Sequence, residues 1–263
     1  MRLHFPSGGR LMTIRGKTIL ITGASSGLGR AMALSLASGK NNIVVTARRE
    51  PLLQELAAQI EAAGSRCTVV SADAVDPDAC RSVIDAALTE YGRIDIAILN
   101  AGGATPRNMT DATSEQVLRA MRVNYDTLVN FLCPMIAHMR DVGGTIGWTG
   151  SPAGFFGLPK SGPYSAAKAA GRMLFDTCRI EVANRKIRFV ALYPGFTETP
   201  GLDPNDVPVK ALIIQPERAS REMLGAIEVG RSHHMFPRRI AFLLGVARLM
   251  PEWMRRWVLQ RAA

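Results

Sequence analysis

Strand-like and helix-like segments alternate along this chain, and no other feature restricts its fold as much. Apolar runs rich in β-branched residues occupy Thr18–Thr22, Ile43–Thr46, Thr68–Val70, Ile94–Leu99 and Ile187–Leu192, with a weaker run at Thr145–Trp148. Between them, helical periodicity runs over 27–39, 50–63, 77–91, 114–140 and 162–184. Strand–helix–strand units of this length require a parallel sheet with helices on both faces. No internal repeat or low-complexity linker divides the pattern. Residues 14–237 are therefore expected to form one doubly wound α/β domain, after a flexible leader at 1–13 and before an apolar, basic helical tail at 238–263.

Charge is distributed unevenly. Residues 1–17 carry four basic groups and no acid, and residues 230–263 carry seven arginines against Glu252 alone. The remaining body holds 21 basic and 21 acidic residues, so the formal charge of +10 resides at the two ends. A nucleic-acid-binding domain spreads its basic residues over a continuous surface, so no nucleic-acid partner is expected. The four cysteines (67, 80, 133, 178) form no CxxC pair and no cluster with histidine at zinc spacing. Neither a metal nor disulfides are expected, and reduced thiols imply a cytoplasmic protein. The apolar stretch Ile240–Ala247 has eight residues, against about 20 needed to span a bilayer.

The first site signal is Thr22-Gly23-Ala24-Ser25-Ser26-Gly27-Leu28-Gly29, directly after a strand and before a helix. Glycines there let the backbone turn tightly and approach a ligand, and the helix N-terminus offers free N–H groups to a pyrophosphate. At the end of the second strand stand Ala47, Arg48 and Arg49, where an NAD-selective site usually presents an acid. A guanidinium pairs well with a 2′-phosphate, so NADP(H) is expected over NAD(H). Asp73, after the third strand, is placed to bond the adenine amino group or to cap the following turn.

A second signal lies further on. Tyr164 and Lys168 are four residues apart in a helical segment and share one face, with Ser151 thirteen residues upstream of the tyrosine. A free phenol titrates near pH 10, and a nearby ammonium lowers that value. Together with Asn100-Ala101-Gly102, Asn124, and Pro194-Gly195 leading to Thr199, these motifs span residues 17–200. In that order and spacing, the chain resembles the classical short-chain dehydrogenase/reductase family.

The resemblance implies a Rossmann-type, NAD(P)-dependent oxidoreductase interconverting a secondary alcohol and a ketone. By it, Tyr164 exchanges a proton with the reacting oxygen, Ser151 bonds that oxygen, and Lys168 holds the nicotinamide ribose and depresses the Tyr164 pKa. Asn124 would hold a water in the proton relay. Gly23, Ser25, Ser26, Gly27, Leu28, Gly29, Arg48, Arg49, Asp73, Asn100, Ala101, Gly102, Tyr164, Lys168, Pro194, Gly195, Thr197 and Thr199 would line the cofactor. A non-catalytic nucleotide-binding scaffold and an NAD-using enzyme of the same fold are the alternatives.

The chain departs from the family pattern at three places. Ser26 stands where many NADP enzymes carry a basic residue, the strand before Ser151 reads Ile146-Gly147-Trp148-Thr149-Gly150, and the ending is His233-His234-Met235-Phe236-Pro237 and a basic tail. Phe155, Phe156, Leu158, Leu202, Val207 and Leu212 suggest an apolar pocket for a small-molecule carbonyl or alcohol substrate. Leu128, Phe131, Leu132, Leu174 and Phe175 suggest apolar helix faces that pair in a homodimer or homotetramer. For the tail, Trp253, Met254, Trp257 and Val258 gather on one side of a helix, with Arg255 and Arg256 turned away. Two readings follow: in-plane contact with lipid headgroups, peripheral to a membrane, or packing over the substrate pocket or a partner subunit.

Overall fold

The computed structural model describes residues 13–103, 108–202, 207 and 210–261. The leader apart from Thr13 lies outside the described residues. Thr13 itself is anchored, its backbone N–H and its hydroxyl both donating to Glu228.

Seven parallel strands form one sheet in the order β3-β2-β1-β4-β5-β6-β7. They are β1 (Thr18–Thr22), β2 (Asn42–Ala47), β3 (Arg66–Ser71), β4 (Ile96–Leu99), β5 (Gly144–Thr149), β6 (Ile187–Pro194) and β7 (His233–Phe236). The order reverses between β1 and β4, where Ile21 pairs with Ile98. Crevices for ligands open at the carboxyl ends of strands at such a switch point.

The helices are α1 (Gly27–Leu36), α2 (Glu50–Ala62), α3 (Pro77–Tyr91), α4 (Ser114–Met121), α5 (Thr127–Val142), α6 (Gly162–Glu181), α7 (Pro216–Val229), α8 (Arg238–Leu249) and α9 (Glu252–Arg261). Local chemistry sets several boundaries. Asp76 accepts from the N–H groups of Asp78 and Ala79 with Pro77 following, and Gly92 ends α3 in the left-handed region. Thr113 and Gln116 form a reciprocal capping box at α4.

Period-two alternation in β1 divides the interior. Ile19 and Ile21 face a core that includes Met32, Leu36, Leu53 and Met223, from α1, α2 and α7. Leu20 faces the other core, with Phe131, Met135, Trp148 and Phe175. Each such large side chain contributes about 1.5–3 kcal/mol by leaving water. Leu128, Phe131, Leu132 and Phe175, expected at a subunit contact, are instead buried in this second core, and Leu174 packs partly against it. On these helices Val142 of α5 and Met173 and Ile180 of α6 face outward instead.

Three expectations need correction. The helix expected over 114–140 is interrupted by a π-helical segment, Arg122–Asp126. Asn124 sits in it, and its amide bonds the Gly103 backbone as well as the Ala120 carbonyl, which draws the chain off the regular ladder. β7 was not anticipated, because His233-His234-Met235-Phe236 lacks β-branched residues. It pairs with β6 from Ala191↔His233 to Pro194↔Phe236. Helix α7 was also missed. It lies against α1 through small residues, with the Ser220 hydroxyl donating to the Ala31 carbonyl at 3.2 Å.

Candidate active site

The glycine-rich turn joins the end of β1 to α1. Gly23 and Gly27 have φ of +67° and +56°, a region that L side chains avoid. A Cβ on Gly29 would overlap the Gly23 carbonyl, and one on Gly27 would lie 3.1 Å from Thr199 Cγ2. The segment after β6 therefore closes directly onto the turn. Leu28, in the first turn of α1, packs on the core.

Polar groups at the ends of three strands lock this corner. The Thr22 hydroxyl accepts from the N–H groups of both Asn100 and Ala101, each at 2.9 Å. Asn100 Nδ2 donates to the Thr22 carbonyl at 3.2 Å, and its Oδ1 accepts from the Thr149 hydroxyl at 3.0 Å. Gly102, at φ +150°, is flanked by Asn124 Oδ1 and Lys168 Nζ. Neither Thr22, read only as the first residue of the glycine-rich segment, nor Thr149 was given a role from the sequence, although each is a polar residue closing an apolar strand.

The two arginines after β2 diverge. Arg49 Nη2 donates to the hydroxyls of Ser25 at 2.9 Å and Ser26 at 2.6 Å, and its Nε reaches Ser25 at 3.2 Å. Arg48 pairs across 4.0 Å with Asp73, whose other oxygen accepts from the Val75 N–H. Ser26, at the position where a basic residue is common, thus holds an arginine supplied by the next strand. A guanidinium, two hydroxyls and a glycine cradle with free helix N–H groups form a donor set that suits a dinucleotide phosphate.

Ser151, Tyr164 and Lys168 converge where β5 ends and α6 begins. Ser151 Oγ accepts from the Ala153 N–H at 3.1 Å and is hydrogen-bonded to the Tyr164 phenol. Lys168 is buried, and its Nζ donates to the Thr149 carbonyl at 3.0 Å. The ammonium lies 5.7 Å from the centroid of the Trp148 ring and 5.6 Å from that of Tyr164. Burial pushes the Lys168 pKa down to about 8. Burial also raises the Tyr164 pKa, partly offset by the Ser151 bond. A depressed phenol pKa was expected. In this state both groups are desolvated, and the lysine points a donor at a carbonyl oxygen, so burial prevails.

Trp148 was an unexplained departure in the sequence. It is 1% exposed and forms the floor beneath Lys168, tilted against Phe175 and edge-on to Tyr193. Gly171 makes room for it: a Cβ there would sit 2.8 Å from the indole.

Asn124 is brought to the site, and its side-chain amide is fully engaged. Both of its amide donors are committed, to the carbonyls of Gly103 at 2.9 Å and Ala120 at 3.1 Å. Its Oδ1 accepts from the Gly103 N–H at 3.1 Å. The side chain clamps the loop after β4.

Pro194 is the last residue of β6, and the Gly195 N–H after it donates to the Phe236 carbonyl at 2.8 Å. Thr197 is buried, and its hydroxyl turns back to the Gly195 carbonyl at 3.2 Å. Thr199 is the one that reaches the glycine turn.

A family model described as short chain dehydrogenase matches residues 17–206. The chain belongs to the short-chain dehydrogenase family. It is an NAD(P)-dependent oxidoreductase of that family. This dehydrogenase is 31% identical over 239 residues to an uncharacterized oxidoreductase of Myxococcus xanthus, covering 90% of this chain and 93% of that one. It is 33% identical over 188 residues to an 11-beta-hydroxysteroid dehydrogenase 1A of Arabidopsis thaliana, covering 70% of this chain. That match spans only about half of the plant protein, 53% of its length. Among solved structures, a short chain dehydrogenase/reductase from Burkholderia phymatum in complex with NAD superposes with a TM-score of 0.81 at 23% identity, over 90% of this dehydrogenase and 94% of that chain. Among the described residues, no helix is long and apolar enough to cross a membrane.

Proposed function

We propose that this dehydrogenase is an NADPH-preferring carbonyl reductase that interconverts an apolar ketone and its secondary alcohol at Tyr164. The observation that carries the reading is the Tyr164 phenol bonded to Ser151 with the Lys168 ammonium buried beneath the pair. The nicotinamide cofactor supplies the hydride.

The chain's own groups supply position and proton transfer. Tyr164 gives its phenolic proton to the developing alkoxide, or takes it back in the reverse direction. Ser151 has its oxygen fixed by the Ala153 N–H, which leaves its hydrogen for Tyr164 or the substrate oxygen, where charge develops. Lys168 uses one of its three donors on Thr149, leaving the others for a ribose hydroxyl and the phenolate. Asn124 keeps the loop at Ala101–Gly103 in place. Arg49, held by Ser25 and Ser26, supports the preference for a 2′-phosphate.

The substrate class is read from the aromatic loop beside Ser151. Phe155 packs edge-on against Tyr193 with centroids 5.0 Å apart, and Phe156 lies under Arg255, whose guanidinium is 5.4 Å from the ring centroid. The name of the plant hydroxysteroid relative agrees with a bulky apolar ketone. The deciding experiment mixes the purified chain with NADPH or NADH and a panel of apolar ketones, following the nicotinamide absorbance. NADPH consumption at least tenfold faster than NADH consumption is expected. No turnover with either cofactor, or equal rates, overturns the reading.

A further inference from the structure

Helices α8 and α9 each turn one side to the domain and expose apolar residues on the other. On α8, Ile240 is buried beside Gly195, whereas Phe242 and Leu249 are 71% and 87% exposed. At about 3.6 residues per turn, Phe242, Val246 and Leu249 form one stripe opposite Ile240, with Arg238 and Arg239 along its edges. On α9, Trp253 and Trp257 are one turn apart and 71% and 52% exposed. Arg255 turns away from the tryptophans and folds inward over Phe156.

The inner side of α9 already has its place. With Gly157, Leu158 and Pro159 it borders a groove of about 350 Å³ beside the aromatic loop. The outer side exposes Phe242, Leu249, Trp253 and Trp257, and clustered exposed apolar groups mark interaction sites. Its charge selects the occupant. From residue 238 onward the sequence holds six arginines against Glu252 alone, so a second copy would bring a surface of the same sign. Exposed indoles and leucines flanked by arginines match the boundary between acyl chains and anionic headgroups. The twelve residues of α8 rise only about 18 Å at 1.5 Å each, which suits lying in the plane rather than spanning it.

We propose that the outer faces of α8 and α9 form an in-plane docking surface for an anionic phospholipid membrane. Docked this way, α9 lies between the lipid and the loop at 155–159.

The protein reports on this directly. Of its three tryptophans, Trp148 is 1% exposed and the other two are Trp253 and Trp257, so a change in emission on adding vesicles comes from α9. The full chain is mixed with vesicles of phosphatidylglycerol and phosphatidylcholine, or of phosphatidylcholine alone, then sedimented and its fluorescence recorded. Sedimentation and a blue shift with the anionic vesicles only are expected. Binding should weaken about tenfold between 0.1 and 0.5 M salt as the charges are screened.

Two exposed pairs, Trp253→Ser with Trp257→Ser and Phe242→Ser with Leu249→Ser, should each reduce binding at least tenfold with unchanged circular dichroism. Arg239→Glu with Arg256→Glu should abolish the preference for anionic lipid. Equal binding to both vesicle types, or binding that survives all three variants, overturns the proposal. So does a blue shift without lipid that tracks self-association surviving Met173→Glu with Ile180→Glu, which would make a second copy the occupant. None of these readouts needs turnover, so their failure leaves the carbonyl-reductase reading intact.

Discussion

The Lys168 ammonium donates to the Thr149 carbonyl oxygen at 3.0 Å, joining α6 to the last residue of β5. One buried charge thereby ties the helix that carries Tyr164 to the strand that leads into Ser151. Its position is electrostatically unfavourable, as its pKa of about 8 records. Below pH 8 the lysine is charged in both folded and unfolded states, and the folded state bears the full penalty. Between pH 8 and the unfolded value near 10.5 the unfolded chain holds more protons, so stability rises with pH.

Replacing the lysine should therefore separate stability from function. Lys168→Met is expected to make the cofactor-free protein more stable at pH 7 by about 1–2 kcal/mol, the relieved desolvation outweighing the lost bond to Thr149. Denaturant melts from pH 7 to 10 check it. The parent should gain stability across that range and the variant should not. A variant less stable than the parent at pH 7 would contradict the electrostatic account.

Tyr164→Phe removes only the hydroxyl that transfers the proton. Turnover should fall by about 10²–10⁴-fold, with cofactor affinity changed less than threefold. Steady-state kinetics and calorimetry on the same preparation decide it. Activity within tenfold of the parent would sink the assignment.

Arg49→Ala should weaken NADPH by about 10- to 100-fold, the worth of a charge-assisted bond to a phosphate, and NADH by much less. The same change at Arg48, which pairs with Asp73 across 4.0 Å, should matter less. Titration calorimetry with both cofactors tests the order. Identical losses for the two cofactors would mean that Arg49 only braces the Ser25–Ser26 turn.

Met173 is 59% and Ile180 76% exposed on α6, whereas the apolar residues expected at a contact lie in the monomer core or, for Leu174, partly against it. A homodimer is expected through this face. Light scattering should find a particle of twice 28.5 kDa that Met173→Glu with Ile180→Glu reduces to 28.5 kDa. A monomeric parent at micromolar concentration would refute it.

Much of this architecture was legible in local pattern. Continuous apolar runs mark β1 and β4 because central parallel strands are buried on both faces. Gly23, Gly27 and Gly29 mark a turn because only the smallest residue tolerates the backbone there. The four-residue spacing of Tyr164 and Lys168 puts both on one helical face without further information.

Other features depend on residues distant in sequence and had no local mark. The break at Asn124 exists because Gly103, 21 positions away, offers a backbone N–H and carbonyl to its amide. β7 forms because β6 has an open edge, not because His233 and His234 favour a strand. Arg48 and Arg49 are alike as sequence. Only the packing of β2 beside β1 sends Arg49 to Ser25 and Ser26 and leaves Arg48 facing Asp73. Trp148 reads as a bulky intruder before Ser151 until Gly171 makes room for it beneath Lys168. Periodicity and turn chemistry act over a few residues and can be read along the chain. Desolvation, hydrogen-bond partners and the pKa values that follow belong to groups that meet only when the sheet closes.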